Sequence, residues 1–180
     1  MQNIKNRTKI TNPHILELIK ECVDNTKTMD FKLPRKIRFL QCEAARRAGL
    51  ATYKDSTIVL STFIYKETDE AIKSVIYHEI GHLIAGPLAH HGPVWQRVVN
   101  KMSQITGIKI TRLYSDSDMP IHAEERKKAY KYIFRCKSCG CTCNYLRETV
   151  FTKTYNEKTL TGKPRWTCAR CGGTFEKIKG

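Results

Sequence analysis

The sequence predicts an α+β fold followed by a small cysteine-rich unit. Apolar residues recur at helical spacing in three segments, short β-rich segments lie between the first two, and two CxxC pairs occur near the end. A helix, a small sheet and two further helices form an α+β arrangement. The paired cysteines indicate a separate metal-stabilised unit.

The first helix is expected to begin at Pro13, because proline suits a first helical turn, and to end near Asn25. Its apolar side is formed by Ile15, Leu16, Leu18, Ile19, Cys22 and Val23. Residues 37–42 and 57–60 are strand-like, and a further strand is expected around 50–53. These segments predict a small sheet before the second helix.

The second helix has its own start and stop signals. Thr68 and Asp69 supply N-cap chemistry, and Gly86 followed by Pro87 ends the helix. Its apolar stripe consists of Ile72, Val75, Ile76, Ile80 and Leu83. This stripe must face the core, which places His78 and His82 on a flank of the helix.

That helix carries the strongest functional pattern of the chain, HExxH at residues 78–82. Histidines four residues apart lie on one helical face, so that His78 and His82 can bind the same zinc ion. Glu79 lies nearby and can act on a water molecule bound to the metal. A metzincin would need Gly at position 85 and His at position 88, where this chain has Ala85 and Leu88.

Catalytic zinc usually has three protein ligands and an open fourth position, so a third ligand is needed. His90 and His91 lie just before Gly92 and Pro93, in a turn between two predicted helices. The helix that begins at Pro93 has an apolar face of Val94, Trp95, Val98, Val99, Met102 and Ile105 and ends near Gly107. Either histidine of this turn could point back towards the second helix.

Eight cysteines and no apolar leader in the first residues predict an intracellular protein with reduced thiols. Cys136, Cys139, Cys168 and Cys171 form two CxxCG pairs that predict a structural zinc ribbon. Cys141 and Cys143 could compete as ligands. Alternation with Thr142 and Tyr145 predicts a strand there, so we interpret both as non-ligands.

The chain is strongly basic, with 32 Lys and Arg against 17 Asp and Glu and a formal charge of +15. This excess indicates an acidic polymer as partner, and nucleic acid is the expected one. Tyr145, Phe151, Tyr155 and Trp166 lie among the basic residues of the end and could stack on unpaired bases or pack a small core. No base-reading motif occurs, so that sequence-tolerant binding of DNA, including single strands, is expected. No segment is long enough to span a membrane.

The HExxH run, together with His91-Gly92-Pro93 and Trp95, resembles the SprT-like metallopeptidases. The segments 48–51 and 57–61 are similar to that family's sheet segments, and a cysteine-paired zinc ribbon often follows in the family. The resemblance covers roughly residues 10 to 175. It implies His78, His82 and His91 as ligands of the catalytic zinc and Glu79 as the catalytic carboxylate. His91 is favoured over His90 because it adjoins Gly92-Pro93.

The expected fold is therefore α+β, a zincin-like metallopeptidase minidomain with a C-terminal zinc ribbon. Residues 1–110 would form the SprT-like metallopeptidase domain, 111–131 a charged connector, and 132–180 a ribbon that binds nucleic acid. The chain would hold two Zn²⁺ ions, one catalytic and one structural. A cytoplasmic, DNA-associated location is expected.

The resemblance implies a zinc-dependent endopeptidase that acts on proteins bound or crosslinked to DNA, as in DNA-protein crosslink repair. Zinc-bound water would be the nucleophile and Glu79 the general base. An oxyanion donor is also expected, with Tyr77, Tyr114 or an arginine as candidates. Two alternatives stay open: a nucleic-acid-binding, transcription-linked protein with weak or no peptidase activity, and a zinc hydrolase of a non-peptide substrate.

Overall fold

The computed structural model describes residues 6–43 and 47–180 and, within them, not the side chains of residues 126–128. The chain divides into two compact units, Met1–Ala123 and Glu124–Gly180, here called the N-terminal and the C-terminal unit. The division falls inside the predicted connector, close after the start of a helix.

The N-terminal unit is mixed α and β, as predicted. Its elements in chain order are β1 (Thr8–Lys9), α1 (Pro13–Lys27), β2 (Arg38–Cys42), β3 (Gly49–Thr52), β4 (Thr57–Ser61), a 3-10 helix (Thr62–Lys66), α2 (Asp69–Ala85), α3 (Pro93–Thr106) and the start of α4 (Pro120–Ala129). The predicted helices agree with α1, α2 and α3 to within a few residues. The strands agree equally well with β2, β3 and β4.

The helix ends follow from local chemistry. The Asn12 side chain accepts a hydrogen bond from the backbone of Ile15 at the start of α1, and the Thr68 side chain accepts one from Ala71 at the start of α2. Gly86 donates to the carbonyl of His82 at the end of α2. Gly107 ends α3 with a φ of 72°, which glycine adopts without strain.

The sheet of the N-terminal unit has the order β1-β2-β4-β3. The β2 and β4 strands are parallel, with Leu40 opposite Val59, while β3 runs antiparallel to β4, with Ala51 opposite Ile58. Among the described residues β3 is therefore an edge strand. It also packs against α2, which places this edge beside the helix that carries the HExxH motif.

The core of the N-terminal unit lies between α1, α2 and the sheet. Its largest fully buried side chains include Ile15, Ile58, Leu60, Ile64, Ile72, Ile76, Tyr77, Ile80 and Met102. Each buried aliphatic side chain contributes about 1.5–3 kcal/mol, so this cluster supplies much of the free energy that fixes α2. His78 and Glu79 are themselves buried, deeper than the flank position that the sequence suggested.

The C-terminal unit contains most of α4, followed by β5 (Tyr132–Cys136), β6 (Thr142–Tyr145), α5 (Val150–Thr154) and β7 (Phe175–Lys179). The sheet order is β6-β5-β7, with both neighbours antiparallel to β5. A small core surrounds Phe134, which is fully buried. In the described part of the chain, no helix is long and apolar enough to cross a membrane.

A glycine allows α2 and α3 to pack closely beside the motif. A Cβ atom at Gly81 would lie 2.8 Å from Cγ1 of Val99 and 3.3 Å from Nε1 of Trp95. We expect Gly81→Ala to lower the free energy of unfolding by about 1–3 kcal/mol, because overpacking outweighs the roughly 1 kcal/mol that alanine gains in a helix.

Urea denaturation at fixed zinc concentration measures this effect. In the double variant Gly81→Ala/Val99→Ala the removed methyl groups make room, so a double-mutant cycle should show a favourable coupling of more than about 0.5 kcal/mol. Equal or greater stability of Gly81→Ala alone would contradict this description of the helix contact.

Candidate metal centre

Three histidine rings converge at the end of α2 and in the turn before α3. The Nε2 atoms of His78 and His82 are 3.2 Å apart, and the Nε2 atom of His91 lies 3.1 Å from each of them. Nitrogen ligands at about 2.0–2.1 Å from a tetrahedral zinc ion would be about 3.3 Å apart. The three nitrogens therefore fit one zinc ion, and they are one of two groups of residues that could hold a metal in the described part of the chain.

The turn geometry selects His91 rather than His90. His90 is exposed and has a φ of 44°, a left-handed conformation in which histidine is more often found than most residues. This conformation reverses the chain and directs the next side chain back to α2. His91 thus joins His78 and His82, and His90 remains in solvent.

Trp95, in the first turn of α3, supports all three rings. Its ring lies 4.8 Å from His78, 5.5 Å from His82 and 4.7 Å from His91, measured between centroids. Its Nε1 donates to the backbone carbonyl of His78 at 3.4 Å. Because Trp95 is almost fully buried, it limits the rotamers of the three histidines.

A backbone carbonyl fixes the orientation of His78. Nδ1 of His78 donates to the carbonyl oxygen of Thr111 at 2.8 Å, which leaves Nε2 free to bind a metal. Thr111 falls in the predicted connector, so this segment contributes to the site. No sequence signal could have found this contact, since any residue at position 111 offers the same carbonyl.

The histidines are in the uncharged form that binds metals. Burial lowers the pKa of both His78 and His82 to about 4, and burial is also the main cause that lowers the pKa of His91. Neutral imidazole is the ligand form, so near neutral pH the site loses little free energy to competing protons.

Glu79 is buried and directly follows His78 on α2. Burial raises its pKa to about 8, while a hydrogen bond from the backbone of Ala51 and the charge of Arg47 act in the opposite direction. A Cβ atom at Gly49 would lie 2.7 Å from Cγ of Glu79, so the edge strand β3 makes room for this side chain. With no cation nearby, this pKa would leave Glu79 largely protonated at neutral pH, and a bound cation would stabilise the carboxylate form that accepts a proton.

The candidate oxyanion donors differ in position. The Tyr77 hydroxyl is fully buried and accepts a hydrogen bond from Asn25 in α1. The Tyr114 ring lies 5.8 Å from His78, and its hydroxyl is buried near Ser74. The charge of Arg112 contributes to the lowered pKa of His91, so this exposed arginine lies near His91.

The second group that could hold a metal lies in the C-terminal unit and consists of cysteines. The sulfur atoms of Cys136, Cys139, Cys141 and Cys168 lie within 4.8 Å of one another, and Sγ of Cys171 lies 3.5 Å from Sγ of Cys136. The four predicted ligands are thus brought together, and thiolates at this spacing suit zinc.

The structure also brings Cys141 to this cluster, although the strand pattern led us to interpret it as a non-ligand. Its sulfur lies 3.3 Å from that of Cys168, because the backbone of Cys136 donates to the carbonyl of Cys141 and closes the turn on the cluster. Cys143 lies on β6, where the strand pattern placed it, and packs against the core around Phe134, while its interpretation as a non-ligand stays a prediction.

Comparison with known proteins finds one matching family. The model of the SprT-like family matches residues 16–115, more than half of the chain, and includes all three histidines and Glu79. Among solved structures, the metallopeptidase zymogen abylysin of Pyrococcus abyssi is 18% identical, with 52% of this chain and 87% of that chain covered and a TM-score of 0.42. No curated protein matches the chain.

Metal counting tests both groups of ligands. We expect the purified chain to hold about two zinc ions, with one lost in His82→Ala and the other lost in Cys168→Ala, because each change removes a ligand from one site only. The neighbouring turn residue provides a control, since His90→Ala should keep both ions while His91→Ala loses one. Loss of zinc in His90→Ala would show that the turn presents the other histidine.

Proposed function

The chain belongs to the SprT-like family, and we propose that it is a zinc-dependent endopeptidase that acts on proteins bound or crosslinked to DNA. His78, His82 and His91 would hold the catalytic zinc, and Glu79 would act as general base. Cys136, Cys139, Cys168 and Cys171 would hold a structural zinc in a ribbon that binds DNA.

One observation carries the peptidase proposal: three neutral imidazoles meet at one point, and the residue that directly follows His78 on α2 is a buried glutamate that is not needed as a ligand. A purely structural zinc site would be closed by a fourth protein ligand. Here three nitrogens would leave the fourth position of a zinc ion open to water, and Glu79 would supply the base. Hydrolysis by a metal-activated water needs both.

When bound, zinc would activate a water molecule and polarise the carbonyl of the scissile peptide. The residues of the chain do the remaining work. Glu79 takes the proton of the attacking water and passes it to the leaving amine. Trp95 and the Thr111 carbonyl keep the rings in place, so that little reorganisation is needed during the reaction.

The edge strand β3 supports a peptide rather than a small molecule as substrate. Its far edge carries no strand among the described residues, and the backbone of Ala51 on this strand contacts Glu79. An extended peptide could add to this edge through main-chain hydrogen bonds and would then pass close to the metal. Main-chain binding of this kind favours broad sequence tolerance.

The charge of the C-terminal unit supports DNA as the partner. From Tyr132 to Gly180 the sequence has ten basic and three acidic residues, a formal charge of +7. The three acidic side chains pair with Arg135, Lys153 and Arg165. The other seven basic residues, Lys137, Arg147, Lys158, Lys163, Arg170, Lys177 and Lys179, are exposed. They are available to bind phosphates.

Most aromatic residues of this unit have a structural role. Tyr145, Phe151 and Tyr155 pack around Phe134 and are partly buried. Trp166 is the best candidate for stacking on a base, because it is half-buried and lies beside the guanidinium of Arg165. Its Nε1 donates to Thr154, which would hold the ring in a fixed orientation.

Replacing the general base tests the peptidase proposal. Glu79→Gln keeps the size of the side chain but removes the proton acceptor. We therefore expect the rate of cleavage of a DNA-bound protein to fall by about 10²- to 10⁴-fold. Zinc content and circular dichroism should be unchanged. Glu70→Gln, an exposed position in the first turn of α2, is the matched control and should cleave normally.

Unchanged cleavage by Glu79→Gln would exclude the proposed base. If the wild-type chain cleaves no protein but binds DNA, the nucleic-acid-binding alternative is favoured instead. Profiling with peptide and non-peptide substrates separates the peptidase from a hydrolase of another class.

Salt dependence tests the DNA interface. Each basic side chain that binds a phosphate contributes about 1 to the slope of log K against log salt, so Lys177→Gln/Lys179→Gln should bind DNA more weakly with a slope reduced by up to about 2. Fluorescence anisotropy with single- and double-stranded DNA measures both quantities. Lys20→Gln, exposed on α1, is the control. A wild-type affinity that does not depend on salt would rule out the electrostatic interface.

A further inference from the structure

Five sulfur atoms, one more than zinc needs, gather in the C-terminal unit. The distances between Sγ atoms are 3.3 Å from Cys141 to Cys168, 3.8 Å from Cys139 to Cys168 and 3.5 Å from Cys136 to Cys171. Sulfur ligands at about 2.3 Å from a tetrahedral zinc ion would lie about 3.8 Å apart. All three pairs are close to this spacing, but a tetrahedral ion accepts only four of the five sulfurs.

The two cysteine turns have the same backbone pattern. Gly140 donates to the carbonyl of Cys136, and Gly172 donates to the carbonyl of Cys168. Both glycines have a positive φ, 72° and 74°. Cys136 in turn donates to the carbonyl of Cys141 at 2.8 Å. In the second turn Cys168 donates to the carbonyl of Gly173 at the same distance, so Cys141 and Gly173 are equivalent positions.

This equivalence explains why Cys141 reaches the metal position. A Cβ atom at Gly173 would lie 2.9 Å from Sγ of Cys136, so the side-chain direction at this position points into the cluster. In the second turn Ser138 and Cys136 fill that space, which only a glycine leaves to them. In the first turn a cysteine fills it and places an additional sulfur among the ligands.

The five cysteines are not equally fixed. Cys136 and Cys168 are buried and held by backbone hydrogen bonds at the start of the two turns. Cys139 belongs to the set of four that includes Cys141, and it also contacts Cys171. Cys171 also contacts Cys136, Cys139 and Cys168, but it is not part of the set of four mutually close sulfurs that contains Cys141, so the three sulfurs are shared and the other two are alternatives.

We propose that the structural metal is held by three fixed thiolates, Cys136, Cys139 and Cys168, and that Cys141 and Cys171 share the fourth position. On exchange the entering thiol loses its proton and binds as a thiolate, and the leaving thiolate takes up a proton, so the metal keeps four sulfur ligands and the total charge is unchanged. The unit therefore keeps its metal when either of the two shared cysteines is lost. It also presents one free thiol next to the metal in each state.

Substitution by serine in the full chain tests the shared position. We expect Cys141→Ser and Cys171→Ser each to keep both zinc ions. After cobalt replaces zinc, each should show the thiolate-to-cobalt charge-transfer band at full intensity. In the double variant Cys141→Ser/Cys171→Ser the band should fall to about three-quarters, since three of four thiolates remain. Loss of an outer-shell partner of a metal lowers its affinity by roughly 10- to 100-fold. The zinc affinity of the double variant should fall by more than this, because the variant loses a direct ligand.

Two control variants separate the possible failures. Cys143→Ser should leave zinc and the band unchanged. Cys136→Ser should lose the structural zinc, and if it does not, the structural zinc site itself is wrong, whatever the role of Cys141. Loss of zinc in Cys171→Ser together with no effect in Cys141→Ser would overturn the shared position and leave an ordinary four-cysteine site.

Alkylation of the wild-type chain gives a second test that requires no substitution. Brief treatment of the zinc-loaded chain with iodoacetamide, followed by peptide mass spectrometry, should label Cys141 and Cys171 in part, with a sum of about one label per chain. Cys136 and Cys168 should stay protected until a chelator is added. Labelling of Cys141 alone, with Cys171 fully protected, would contradict the proposal.

Discussion

The structure of the N-terminal unit depends on one requirement, that three imidazole nitrogens meet within 3.1–3.2 Å of one another. Two of them come from adjacent turns of α2 and need only helical geometry. The third requires that the chain reverse after α2, which the left-handed conformation of His90 provides, and that α3 pack closely, which Gly81 permits. Trp95 then fills the space between the rings and the helix pair.

Burial gives this arrangement its chemical character. The same removal of water that lowers the pKa of His78 and His82 raises the pKa of Glu79. Uncharged rings bind metals well, and a carboxylate poised to take up a proton is a competent base. A cation in the site would offset the cost of burying the carboxylate charge, so metal binding and the protonation of Glu79 are coupled.

The sequence predicted those parts of the fold that local chemistry decides. The cap at Thr68, the prolines that begin α1 and α3, and the strand patterns agree with the structure. It did not predict the 3-10 helix Thr62–Lys66 or the short helix Val150–Thr154, because segments of five residues carry too little periodicity. The sequence also did not predict the contact between His78 and the Thr111 carbonyl or the position of Cys141 in the cluster. Both depend on hydrogen bonds to backbone carbonyls, which every residue type offers, so side-chain patterns do not encode them.

Anomalous X-ray diffraction at the zinc edge, from crystals of the full chain, tests the proposed catalytic centre most directly. We expect a peak about 2.0–2.1 Å from Nε2 of His78, His82 and His91, with the fourth position open to solvent and Glu79 beside it but not bound. Histidine rings that point apart, or a fourth position filled by a protein side chain, would contradict the account.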